Sequence, residues 1–186
     1  AERARAETAR LAAQQRMVDY AKSMLQQAEG ATGSAIDELQ SVRQNLVQAA
    51  NGTLSASDRA AIAKQLRGSY DQLLSIANTR DGSGGYVFGG AGASAAPFDT
   101  SGGVVYTAQP GTQTVGTDPT LATSQDGVQA FMSVPTATGT QSIFAVIDKV
   151  ATLLEDPTST AAALQAGIKD GMDGVDAGLD KLQTVR

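Results

Sequence analysis

The 186 residues include no cysteine, no histidine and no tryptophan, and only 4% are aromatic. Without cysteine there is no disulfide and no thiolate nucleophile. Without histidine the chain lacks the side chain that titrates near neutral pH and most often ligates zinc. These absences exclude His-based proton relays and the usual zinc centres, and they leave the compartment open, since an exported protein need not use disulfides. No run approaches the roughly 18 apolar residues of a membrane span, and the charged start has no apolar core of a secretory signal. Residues 91–139 hold three aspartates and no basic residue, within a chain of net charge −5. Residues 1–50 balance six basic against six acidic side chains, residues 51–90 carry four and three, and residues 140–186 four and seven. With no basic stripe to neutralise phosphates, nucleic acid is not an expected partner. Neither is a membrane.

Motifs for chemistry are missing as well. Gly82-Ser83-Gly84-Gly85 precedes a β-prone run, whereas a dinucleotide loop follows a strand and opens a helix, and no Gly-Lys-Ser/Thr occurs. Asp170, Asp173, Asp176 and Asp180 lie along a helical stretch without the looped ligand order of a calcium site, and read as a solvated acidic face. No Gly-x-Ser-x-Gly elbow is present. The expectation is no enzyme activity, no metal and no cofactor.

What the chain does have is a long heptad repeat. Leu11, Val18, Leu25, Thr32, Leu39 and Leu46 form one row; Gln14, Ala21, Ala28, Ala35, Val42 and Ala49 form a second, three residues on. Ten of these twelve are apolar, the pattern of a helix that winds against a partner. Unbroken, the rod would run about 75 Å at roughly 1.5 Å per residue. Gly30 and Gly33 are its weak points, read as a tolerated kink or break or as a close approach by a neighbour. Asn51-Gly52 ends it, with Gly52 suited to a left-handed residue after a helix. Ser55 with Asp58 three positions later is a capping signal for a second helix, whose face carries Ile62, Leu66, Ser69, Leu73 and Ile76. The short connection makes the two helices antiparallel neighbours.

After Asp81 the composition turns to glycine. Tyr86-Val87-Phe88 reads as a short strand bounded by turns, giving a hairpin near 84–90. Residues 91–139 are rich in Gly, Ser, Thr and Ala, with β-prone runs at 104–107, 112–115 and 128–134. Helical pattern returns at Ile143 with Phe144, Val146, Ile147, Val150 and Leu154, and stops at Asp156-Pro157. Ser159 or Thr160 then caps a last helix striped with Leu164, Ile168, Met172, Val175, Leu179 and Leu182. Gly167, Gly171, Gly174 and Gly178 lie inside it and cost about 4 kcal/mol in an isolated helix, so it must be held by packing, with the first helix the expected support. The predicted fold is mainly α with a β insert: an elongated antiparallel bundle of residues 1–90 plus 140–186, and a small β-rich outer domain at 91–139. Both chain ends read as cut from a longer protein. Two readings stand on pattern alone, a subunit that joins others through its helices in a helical lattice, or a bundle satisfied internally.

Residues 48–62, QAANGTLSASDRAAI, resemble the helix–turn–helix segment of the bacterial flagellin family. The continuation LLSIANTRD at 73–81 and GYVFGG at 85–90 is similar to the hook-associated, junction-forming (type 3) branch of that family rather than to flagellin proper. The closing VDAGLDKLQTVR at 175–186 resembles the family's C-terminal helix. The resemblance covers about half of the chain and implies a secreted, extracellular structural component of the flagellum, exported by the flagellar type III apparatus. Its partners would be hook-associated protein type 1 on the hook side, flagellin on the filament side, its own copies in a ring, and an export chaperone. Alternatives are a filament subunit, or a surface-binding module with 91–139 as its head on a coiled-coil stalk. The seam residues singled out are Leu25, Leu39, Val42, Leu46, Ile62, Leu66, Leu73, Val175, Leu179 and Leu182; the residues carrying the resemblance are Asn51, Gly52, Asp58, Arg59, Asn78, Tyr86 and Phe88.

Overall fold

A computed structural model describes residues 2–117 and 120–185; Ala1 and Arg186, the two ends of the predicted helical pattern, lie outside the described residues. Four helices carry the fold: α1 (Glu2–Ala49), α2 (Ala56–Ala77), α3 (Ile143–Glu155) and α4 (Ala161–Val185). Between α2 and α3 run β1 (Phe98–Asp99), β2 (Val105–Tyr106), β3 (Thr114–Val115), β4 (Leu121–Ala122), a π-helical turn (Val128–Met132), β5 (Val134–Thr136) and β6 (Gly139–Gln141). The strands pair as three separate antiparallel ladders, β1 with β2, β3 with β4 and β5 with β6.

Helix α1 spans 48 residues without a break, about 72 Å at 1.5 Å per residue. At Gly30 and Gly33 an added Cβ meets nothing within 4 Å, so neither glycine admits a neighbour. Alanine at both positions is expected to raise stability by up to about 1 kcal/mol each, read as a higher melting temperature; a lower one would show that the helix needs their backbone freedom. The small heptad row is buried from Ala21 through Ala28, Ala35, Val42 and Ala49. The large row is buried only from Thr32 through Leu39 and Leu46.

The reversal after α1 is built by a side chain. Asn51 Oδ1 accepts from the Thr53 backbone N–H at 3.2 Å and its hydroxyl at 2.8 Å. Gly52 is not among the left-handed glycines, and a Cβ there would meet nothing, which corrects the role expected of it. Ser55 and Asp58 then form a reciprocal capping box, the Ser55 hydroxyl accepting from the Asp58 N–H and the Asp58 carboxylate from the Ser55 N–H. The Ser55 hydroxyl and N–H hold the Asp58 carboxyl below its usual range.

Helix α3 starts at a Ser142 cap and α4 at Thr160, whose hydroxyl accepts from the Ala163 N–H at 3.2 Å. The four glycines of α4 face α3 rather than α1. A Cβ on Gly167 would strike Leu153; one on Gly171 would lie 2.5 Å from Val150 Cγ2, on Gly174 2.7 Å from Val146 Cγ1, and on Gly178 2.8 Å from Ile143 Cδ1. The two helices are zipped antiparallel, glycine against branched aliphatic. Support from α1 is the second contact: Leu46 and Leu39 reach the Gly171 and Gly178 positions at 3.6 and 3.4 Å, and Arg43 Nε donates to Asp176 Oδ1 at 2.7 Å.

Two further expectations change between α2 and α3. The hairpin expected near 84–90 is reduced to one antiparallel bridge of Tyr86 to Arg80, with the Val87 N–H donating to the Thr79 carbonyl at 2.9 Å, while Gly89 bridges Asp126 and Gly90 bridges Gln109. The 128–134 run is not one strand. Asp126 Oδ1 accepts from the backbone N–H of Val128 at 2.9 Å and of Gln129 at 3.4 Å, starting a helical turn that leaves only Val134 onward extended.

Candidate assembly surfaces

Most of the predicted seam closes inside the chain. Leu39, Val42, Leu46, Ile62, Leu66, Leu73, Val175 and Leu182 are buried in one hydrophobic core, and Leu179 packs half-buried against it. Leu25 is the exception. It is 46% exposed, and Val18 at 42%, Leu11 at 53% and Tyr20 at 41% are exposed earlier on α1. The antiparallel register of α4 puts Gly178 by Leu39 and Gly171 by Leu46.

The far side of the bundle is held by charge. Arg67 on α2 reaches across to α3, pairing with Asp148, with Glu155 at 3.1 Å and with the Thr152 hydroxyl at 2.9 Å. The guanidinium keeps the Glu155 carboxyl below the usual carboxylate range. Such partly exposed pairs contribute modestly, about 1 kcal/mol or less each.

The residues that carry the family resemblance sit at two junctions. Asn51, Gly52, Asp58 and Arg59 form the corner between α1 and α2. Asn78 closes α2 and clamps the insert, its amide nitrogen donating to the Phe98 carbonyl and its oxygen accepting from the Phe98 N–H, both at 3.0 Å. Arg80 stacks over the Tyr86 ring at 5.2 Å. Phe88 is fully buried in an aromatic hub that sequence reasoning had not assembled: Phe88 and Phe98 each meet Phe131 edge-on, and Phe144 adjoins both Phe98 and Phe131. Tyr70 of α2 closes on Phe144 at 5.7 Å, and Tyr106 on Phe98 at 5.1 Å. Burial pushes the Tyr106 phenol up to about 12, and its hydroxyl donates to the Phe88 carbonyl at 3.0 Å. All four phenylalanines of the chain meet here. In a chain so poor in aromatic residues, their scarcity was the one available signal that they share a core.

Among the described residues no group of three or more His, Cys, Asp or Glu is placed to hold a metal ion, and no helix is long and apolar enough to cross a membrane.

Comparison with known proteins meets this arrangement at both levels. The family described as the bacterial flagellin N-terminal helical region matches residues 1–93. Flagellar hook-associated protein 3 of Salmonella typhimurium is 32% identical over 176 residues, covering 84% of this chain and 56% of that protein. The Escherichia coli protein of the same name is 30% identical over 169 residues, covering 86% and 53%. The chain therefore spans about half the length of the curated relatives it matches. The crystal structure of FlgL from Xanthomonas campestris shares the fold at a TM-score of 0.85 and 20% identity, over 95% of this chain and 90% of that one. The flagellar junction protein FlgL from Legionella pneumophila does so at 0.85 and 17%, over 99% and 94%. With its N-terminal half matched by the family, its sequence aligned to hook-associated proteins and its fold shared with theirs, the chain belongs to the bacterial flagellin family, in its hook-associated protein 3 group.

Proposed function

We propose that this chain is the helical body of a non-enzymatic adaptor that joins the flagellar hook to the filament. The observation that carries the reading is the alignment to flagellar hook-associated protein 3 over 84% of the chain, on a helical body whose core closes within the chain. Leu11, Val18 and Leu25 continue the heptad line of Leu39 and Leu46 and are exposed among the described residues, which makes them the candidate assembly row. The names of the sequence relatives favour the junction role over that of a filament subunit. In this reading the protein works outside the cell after export, forms a ring of its own copies, and contacts hook-associated protein type 1 below and flagellin above, with a chaperone guarding it before export.

Immunogold labelling of the full-length protein in flagellated cells tests the position. A single band at the boundary of hook and filament is expected; label along the whole filament would favour flagellin, and its absence from flagella would overturn the reading. Each of Leu11, Val18 and Leu25 has about half its surface left to bury, roughly 1 kcal/mol apiece. The triple substitution to aspartate in the full-length protein is therefore expected to weaken retention on hook tips about a hundredfold or more. The helical circular dichroism of the isolated chain should stay intact, and unchanged retention would rule the row out as an assembly surface.

A further inference from the structure

At one end of the rod, where α1 and α3 finish and α2 and α4 begin, the helix ends enclose a cavity of about 280 Å³. Leu54, Leu164, Ile168 and Met172 give it aliphatic walls, and Arg59 and Lys169 line it with positive charge; no carboxylate lines it among the described residues. Lys169 is already held by Asp173 at 2.6 Å. Arg59 is not so provided for. Its Nη1 makes one long bond to the Leu54 carbonyl at 3.5 Å, and its Nε is buried with no acceptor among the described residues. The carboxylate that feels its charge, Asp156, has one oxygen taken by the Thr158 N–H at 2.8 Å and hydroxyl at 2.6 Å.

The Arg59 guanidinium, with one long bond among the described residues, lines a largely aliphatic pocket on a chain of net charge −5. The walls ask for aliphatic carbon and the guanidinium asks for an anion. The volume is enough to take a side chain. Its position on the end face of the rod is where an axial neighbour abuts. A second copy seated there head to tail would propagate without limit, which an adaptor must avoid.

We propose that this end pocket receives a carboxylate on a short aliphatic stem, a glutamate or aspartate side chain of a non-identical axial neighbour, with the Arg59 guanidinium donating to it. The proposal rests on the axial reading given above. The test places a photo-crosslinking benzoylphenylalanine at Gln165, on the pocket wall, in the full-length protein, and irradiates assembled flagella. Cross-linking to a different axial subunit within one helical turn of a glutamate or aspartate is expected, with yield falling about tenfold or more in Arg59→Gln and partly kept in Arg59→Lys. Ala161→Glu, at the exposed first turn of α4 where an acidic residue is tolerated, supplies a carboxylate from within the chain. It should abolish the cross-link without lowering the melting temperature, and so guards against a folding defect in the Arg59 variants. Flagella that carry the protein at the junction but give no cross-link, a cross-link to a second copy, or equal yield in Arg59→Gln would each overturn the pocket assignment. A protein found nowhere in flagella would overturn the axial reading, and this proposal with it.

Discussion

Phe131→Ala is expected to remove about 3–5 kcal/mol of stability, the largest single-residue effect in the molecule. The ring is fully buried and meets Phe88 at 4.8 Å and Phe98 at 5.5 Å, both edge-on, and Phe144 at 6.0 Å. Edge-on aromatic pairs add about 0.5–1.5 kcal/mol each beyond the area they bury, and here one side chain makes two of them. It also sits where three parts of the chain converge: the glycine-rich stretch after α2, the insert, and the first turn of α3. Buried residues of the insert and of the helices belong to a single core, so loosening the hub should lower the stability of both together. Chemical denaturation followed by circular dichroism should show an earlier midpoint, and melting roughly 10 °C lower at about 2–4 °C per kcal/mol for a chain of this size. Phe131→Leu should cost about half as much or less, since it keeps apolar volume. A loss below about 1 kcal/mol for the alanine variant would mean the hub is not what unites insert and bundle.

The second large effect is expected from adding side chains. Valine at both Gly171 and Gly174 should destabilise the protein by about 4 kcal/mol, taking overpacking at about 1–3 kcal/mol per site, less what α4 regains in helix propensity over glycine. The obstructing atoms belong to Val150 and Val146, whose branched side chains have little rotamer freedom on a helix. At Gly178 and Gly167 the obstacle is the far end of Ile143 or Leu153, which can swing aside, so alanine there should be milder. A double-mutant cycle identifies the cause: Val146→Ala should recover most of what Gly174→Ala loses. Independent, additive losses would show that the glycines are not there to let α3 approach.

The contrast between α4 and α1 shows what was legible in the sequence. The glycines of α4 announced that the helix needs a close partner, because their propensity cost has to be offset somewhere. Which helix supplies the partner was not legible, since the glycine spacing records a close neighbour and not whether that neighbour is α1 or α3. The capping box of Ser55 and Asp58 and the stop at Asp156-Pro157 could be read outright, because each depends on residues within one turn. Leu25 could not be placed, as the heptad repeat records that a seam exists and not which element covers each of its turns. The 128–134 run has strand-forming residues, yet Asp126, two positions before it, captures two backbone N–H groups and starts a turn instead. The hub was hidden for a different reason. Residues 88, 98, 131 and 144 share no period, and only the tertiary fold brings them together.

The uncovered length of α1 has a thermodynamic corollary. Between residues 2 and 20 no side chain is buried, and about nineteen residues of helix without tertiary support are only marginally stable in water. In the 186-residue chain on its own this stretch should fray and reform, its amides exchanging with solvent far faster than those around Leu39.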